Sequence, residues 1–271
     1  MLAASASLLN IKVVILDTGS DCPAKKVVSH SSHVDGSFRD PDKIRDLASR
    51  VDVITVEIEH VDVTTLVEVQ NTRGLAVHPS PSTIRIIQDK FAQKQHLLLH
   101  GSPVAPFVQV NSTEDSIRDA SATLGLPLML KSRVMAYDGR GNFVVHKLDQ
   151  AGEAIAAFGD RPLYAEKWVP FMKEIAVMVV RAASGEVRSY PAVETIQDNG
   201  ICHLVFVPLR SRDPTVCARA QAIAEEAVRS FEGAGMFGVE MFLMDDGTVL
   251  PSSFMVVFFS DVLTARIDIR E

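Results

Sequence analysis

Cysteine is scarce in this 271-residue sequence: Cys22, Cys202 and Cys217 are the whole set. None belongs to a CxxC pair and none stands at ligand spacing from a histidine, so a disulfide frame and a structural zinc site are both disfavoured. Sparse, odd-numbered thiols fit a reduced, cytoplasmic setting. An excess of positive charge is missing as well, with 27 Lys and Arg against 34 Asp and Glu and a net charge of −7. A general nucleic-acid binder, or a protein lying on an acidic membrane, needs a basic face that this balance does not supply; a nucleotide needs only a local cluster of donors. Long apolar runs are lacking too. Phe254–Leu263 is interrupted by Ser260 and Asp261, and it falls well short of the ~20 residues needed to cross a bilayer. The opening MLAASASLLN has small residues and leucines but no basic stretch before them, so it does not read as a signal peptide.

What is present is an ordinary globular composition, 47% hydrophobic and 23% charged, long enough for one large or two small domains. Residues 1–80 alternate between strand and helix patterns. Ile11–Leu16 and Val51–Ile58 read as buried strands, and Pro41–Ser49, capped by Asp40, and Val61–Val69 as helices. This βαβ rhythm predicts a parallel sheet, although the chain opens in a helix. Pro79–Pro81 marks a boundary. One helix is predicted over Ser82–His100, closed by Gly101, and another over Glu114–Leu124, ahead of strands at Pro127–Lys131 and Phe143–Lys147. Further strands are expected at Glu174–Arg181 and Val187–Glu194. Pro214–Phe231 is the clearest helix, with Asp213 as its cap, Gly233 as its close, and Val216, Ala220, Ile223, Ala224, Ala227, Val228 and Phe231 on one face. Val239–Met244 and Thr248–Leu250 make a hairpin across Asp246–Gly247.

The segment Lys131–Asn142 (KSRVMAYDGRGN) carries the strongest chemical signal. Gly139 and Gly141 let backbone N–H groups approach a polyphosphate, and Lys131, ending a strand, adds a point charge. The competing reading is a hairpin tip whose glycines serve only the turn. Glu240 lies within the apolar run Met236–Leu243, where a bare carboxylate is costly unless it is paired or holds a cation. Alternation offers another explanation, with Val239 and Met241 facing the core and Glu240 facing water. Glu57 and Glu59 close a strand at the edge where parallel sheets bind ligands. His60, His78 and His203 show no ligand spacing and read as surface or loop residues.

KSR and AYDGRGN, with IQDK (Ile87–Lys90) before them and YAEKWV (Tyr164–Val169) after them, resemble the ATP-grasp synthetases that form N5-carboxyaminoimidazole ribonucleotide in purine biosynthesis. VEIEHVD (Val56–Asp62) and FGVEMF (Phe237–Phe242) extend the resemblance from about Leu2 to Leu250. It is most similar to the fungal form, which is fused to a C-terminal carboxylase domain. The resemblance implies an α/β and α+β protein: an incomplete Rossmann-like pre-ATP-grasp sheet over residues 1–80, an ATP-grasp domain over 81–250 with a lid at about 104–165, and an unrelated tail over 251–271. It further implies ATP-dependent carboxylation of aminoimidazole ribonucleotide with bicarbonate through carboxyphosphate, with Mg²⁺ or Mn²⁺, and a homodimer as the assembly.

Residue by residue, the resemblance gives Lys131 and Arg140 catalytic roles. Lys90, Lys131, Tyr137, Asp138, Gly139 and Gly141 would hold ATP phosphates. Glu166, Lys167, Trp168 and Val169 would form the strand receiving adenine, with Glu174 on the ribose. Glu59 would contact the aminoimidazole ribonucleotide and Glu240 the metal. On the residues alone, Glu166 and Glu174 read rather as solvated carboxylates near strand ends.

The resemblance fails at both ends. Family members carry a first strand and a GGGQLGRM turn ahead of the residue matching Met1, so neighbouring strands here are expected to show exposed apolar faces. Where the family continues with NEIAPR, this chain has Pro251, Ser252 and Ser253. Serines thus replace two metal ligands, and the proline should end the strand. The expectation is weak ATP binding with impaired turnover. The alternative expectation is an inactive remnant that at most binds a nucleotide or a partner chain. Biotin carboxylases and transformylases of the same fold carry different loops.

Overall fold

A computed structural model describes residues 2–28, 32–135, 141–198, 201–256 and 266–269. The chain opens with helix α1 (Leu2–Leu8), strand β1 (Leu16–Asp17), α2 (Pro23–Val27) and β2 (Val34–Asp35). It continues through α3 (Pro41–Ala48), β3 (Val53–Thr55), α4 (Val63–Arg73) and β4 (Ala76–His78). Local chemistry sets the helix ends. Asp40 accepts from the Asp42 N–H ahead of α3, Asp62 accepts from Thr65 N–H at α4, and Gly74 ends α4 with φ at 65°.

Among the described residues the parallel sheet is present as two separate pairs, β1 with β2 and β3 with β4. The strand expected over Ile11–Leu16 is confined to its last residue and Asp17, and that over Val51–Ile58 shrinks to three residues. Apolar character is not sufficient for a strand, because backbone groups also need a neighbouring ladder. Ile11 is 55% exposed and Val53 51% exposed.

The single helix expected over Ser82–His100 is two, α5 (Pro81–Gln88) and α6 (Lys90–Leu99). Asp89 leaves the helical region, with φ −109° and ψ 106°, and its carboxylate accepts from the N–H groups of Phe91 and Ala92. An aspartate capping a new helix start competes with propagation of the old one.

A small antiparallel sheet follows, built from β5 (Phe107–Val110), α7 (Glu114–Leu124), β6 (Leu128–Ser132), β7 (Asn142–Val145), α8 (Ala151–Phe158) and β8 (Leu163–Lys167). Its strand order is β5-β8-β6-β7. Ile117, Leu128, Leu130, Val145 and Ala154 are fully buried between this sheet and its two helices.

The large sheet contains β9 (Lys173–Arg181), β10 (Val187–Ser189), β11 (Val193–Asp198) and β12 (Ile201–Val207). Helix α9 (Thr215–Arg229) precedes β13 (Gly235–Leu243), β14 (Val249–Val256) and β15 (Arg266–Ile269). The order is β14-β13-β9-β11-β12-β15, with β10 also on β9. Val187–Glu194 is therefore two strands, interrupted at Tyr190–Ala192, and β12 joins them without having been expected. Helix α9 packs Val216, Ala220, Ala224, Ala227 and Val228 onto the face bearing Ile175, Val177, Val179, Phe237 and Val239.

Pro251 does not end β14. The ladder continues to Val256 because the register shifts between Glu240 and Met241, which lie opposite Ser253 and Pro251 respectively. Edge strands and bulges are the places where proline is tolerated in sheets, and this position is both. β15, in the segment expected to be unrelated to the family, pairs with β12 in parallel.

Candidate active site

Strand parity brings the predicted acidic residues to one face. On β9 and β13, Ile175, Val177, Val239 and Met241 turn to the α9 core and are at most 1% exposed. Glu174 and Glu240 lie at alternate positions on the opposite face, with Phe242 opposite Glu174 in register. Both readings of Glu240 thus meet: alternation is right, yet the face is not open water, since Glu240 is half-buried and close enough to Lys131 to favour its protonated form.

Lys131 comes from β6 of the small sheet. Its Nζ lies 2.8 Å from Glu166 Oε2, and the other carboxylate oxygen accepts from Lys94 Nζ at 2.6 Å. Burial favours the neutral form of Lys131, but Glu166 overrides it and the pKa is raised. For Glu166, burial acts upward while Lys131 and Lys94 together hold the carboxyl below its ordinary value. Burial leaves Lys94 lowered, against the pull of Glu166. Glu174 is raised, chiefly by burial, and a hydrogen bond involving Gln197 only partly opposes this. A carboxyl held up by desolvation is poised to gain from a donor or cation arriving beside it.

Lys90 and Glu59 form a second cluster, with Nζ and Oε1 3.6 Å apart and both side chains largely buried. Gln88 donates to the carbonyl of Val61 at 2.8 Å and also to that of Glu59, fixing the strand-end loop against α5. Beside them opens a cavity of about 290 Å³ lined by Arg39, His60, Gln88, Val134 and Met135. Arg39 Nε donates to the His60 carbonyl at 3.2 Å, and burial lowers the pKa of His60. Glu57 is exposed.

Lys167, Trp168 and Val169 begin the connection between the two sheets. The Lys167 N–H already donates to Pro106 at 2.8 Å, and Trp168 and Val169 are half-buried. Further along, Phe171 stacks on Phe242 with ring centroids 4.4 Å apart. The Glu166 side chain points into the lysine pair, so it is not a solvated carboxylate, and its backbone at the end of β8 is what would face adenine. Gly141 N-terminally flanks β7, and its carbonyl accepts from Ser132 N–H at 2.8 Å. Tyr137, Asp138, Gly139 and Arg140 lie outside the described residues.

Sequence reasoning missed Lys94, Arg133 and Asp89. Arg133 Nε lies 3.1 Å from each Asp89 oxygen and its guanidinium is 5.0 Å from the Phe91 ring centroid, tying the small sheet to α6. The QDK segment could have flagged Asp89 as a cap; a lysine in an amphipathic helix gives no such signal.

A small antiparallel sheet that presents a lysine to the carboxylate-bearing face of a larger sheet, preceded by parallel strands, defines the ATP-grasp class. The ATP-grasp domain model matches residues 95–254, and the ribonucleotide synthetase pre-ATP-grasp domain model matches residues 1–88. The N5-carboxyaminoimidazole ribonucleotide synthase of Brucella melitensis is 33% identical over 94% of this chain and 69% of its own length. The phosphoribosylaminoimidazole carboxylase of Ogataea methanolica is 54% identical over 92% of this chain but only 46% of its own length, so the chain spans about half of that relative. A crystal structure of the Aspergillus clavatus synthase with ADP and 5-aminoimidazole ribonucleotide superposes with a TM-score of 0.91. It is 44% identical, and the match covers 96% of this chain and 67% of that one. The same enzyme complexed with ATP also gives 0.91. The chain belongs to the N5-carboxyaminoimidazole ribonucleotide synthase family of ATP-grasp proteins. Among the described residues no helix is long and apolar enough to cross a membrane.

Proposed function

We propose that this chain binds ATP between its two sheets and serves the carboxylation of 5-aminoimidazole ribonucleotide in purine biosynthesis. In that reaction a bicarbonate oxygen attacks the γ-phosphorus, ADP leaves, and carboxyphosphate forms. The substrate amine then attacks the carboxy carbon, phosphate leaves, and the nitrogen loses its proton. Lys131 and Lys90 neutralise the phosphate charge that shifts during transfer. The small sheet acts as a lid, and Tyr137, Asp138, Gly139, Arg140 and Gly141 are the phosphate-binding candidates that the family motif supplies. Lys167, Trp168 and Val169 offer backbone groups and apolar surface to adenine, Glu174 accepts from the ribose, and Glu59 beside the Arg39–His60 cavity faces the second substrate.

The observation that carries this reading is the convergence of Lys131 from one sheet with Glu174 and Glu240 from the other. Glu240 is our candidate ligand for Mg²⁺. Among the described residues, however, no three His, Cys, Asp or Glu side chains gather as metal ligands. A single carboxylate falls short of the oxygen set a hard divalent cation takes, so the protein's own contribution to phosphoryl transfer rests on the lysines. The family setting also supports a cytoplasmic homodimer.

Calorimetric titration with ATP tests the site. Lys131→Met should weaken ATP at least about tenfold, the worth of one charge-assisted contact, while leaving the circular dichroism spectrum unchanged. Equal affinity in the folded variant would sink the reading. A second reading, nucleotide binding without turnover, is favoured by the register that sets Ser253 opposite Glu240. ATP-dependent phosphate release with aminoimidazole ribonucleotide and bicarbonate separates the two.

A further inference from the structure

Lys94 is a buried lysine for which neither phosphate holding nor core packing accounts. It lies on the inner face of α6 with Phe91, Gln93 and Leu97, and its side chain is 2% exposed. Burying an ammonium is expensive, and an apolar residue of similar volume would fill the same space without that cost. What Lys94 reaches is Glu166, through the 2.6 Å hydrogen bond to Oε1. The second oxygen is used differently. Lys131 stands 2.8 Å from Oε2, yet Oε2 has no donor in hydrogen-bonding geometry among the described residues. Glu166 is thus shared by two lysines, hydrogen-bonded to Lys94 and ion-paired with Lys131. Lys131 is also the more accessible of the two lysines, at 17% side-chain exposure.

Charge decides what this arrangement can do. Lys131 and Glu166 alone make a neutral pair, and a triphosphate would meet no net attraction there. Two ammoniums around one carboxylate leave one positive charge, located on the member that reaches the space between the sheets. We propose that Lys94 is a positioning residue that cancels the charge of Glu166 and so leaves Lys131 cationic toward a bound nucleotide's phosphates. This rests on the ATP site proposed above.

ATP affinity of the full chain, measured by calorimetry for wild type, Lys94→Met, Glu166→Gln and the double variant, tests it. Lys94→Met should bind ATP about tenfold or more weakly, because the remaining pair is neutral. The double variant restores a single positive charge and should return to within a few-fold of wild type. A purely structural lysine would not give this recovery, since the double variant lacks the ion pair entirely. If Lys94→Met does not fold, Lys94→Gln, which keeps a donor for Glu166 without the charge, takes its place and should bind ATP about tenfold or more weakly. The inference is overturned if folded Lys94→Met or Lys94→Gln binds as wild type does, or if the double variant stays as weak as the single one. Wild-type chain that binds no ATP would instead overturn the site itself, and the role of Lys94 with it.

Discussion

Gly233 shows how one residue closes the molecule at a distance from the chemistry. It sits at φ +82° just beyond α9, and a Cβ there would press on the backbone nitrogen of Ser80. The same contact brings Glu232 to Thr83, whose hydroxyl donates to the Glu232 carbonyl at 2.8 Å. Gly233→Ala meets both a disfavoured backbone region and a backbone neighbour that cannot yield. It should lower unfolding free energy by about 2–3 kcal/mol, read as a lower urea midpoint with unchanged slope. At this scale the sequence was most legible where a residue breaks a pattern. Glu240 in an apolar strand and the glycines beside Lys131 stood out for that reason. Lys94 did not, because a lysine in an amphipathic helix looks the same whether it faces water or a carboxylate from a strand 72 residues away.

Helix α6 is the element on which the site depends. Asp89 caps it and also holds Arg133 of the small sheet, so one carboxylate joins two parts of the fold. Asp89→Ala removes the cap and leaves a half-buried guanidinium without its partner. A loss of about 2–3 kcal/mol is expected by chemical denaturation, and Asp89→Asn, which keeps an acceptor for the helix N–H groups, should lose less. Elements whose ends carry their own chemistry were readable: α3 with Asp40 and Pro41, and α9 with its apolar stripe, fall close to where their sequences put them. Elements that need a partner were not. Ile11–Ile15 is apolar enough for a strand but has no ladder among the described residues. β14 runs through Pro251 because β13 is there to accept a bulge.

Across the whole molecule, two buried carboxylates set the response to acid. Glu194 accepts from Lys173 at 2.8 Å and from Arg210 at 2.6 Å, and these partners hold it below its ordinary value although burial acts the other way. Glu166 is lowered by its two lysines in the same sense. A carboxyl whose pKa is lower folded than unfolded stabilises the fold above the unfolded value, and that contribution is lost as pH falls through the folded one. Glu174, raised by burial, works oppositely and takes up its proton first. Urea midpoints should therefore stay level or rise slightly on mild acidification and then drop below about pH 4. Glu194→Gln should start lower at neutral pH and show a shallower drop. The architecture of two facing sheets was foreseeable from the ATP-grasp motifs, whereas its charge balance required the contacts. Lys90 and Lys94 are one turn apart on α6, the first tied to Glu59 and the second to Glu166. At 1.5 Å per residue their backbone anchors stand about 6 Å apart along a rigid rod. The helix is thus a ruler between two pockets, and any closing motion must pivot around it, because that interval cannot shorten without unwinding a turn.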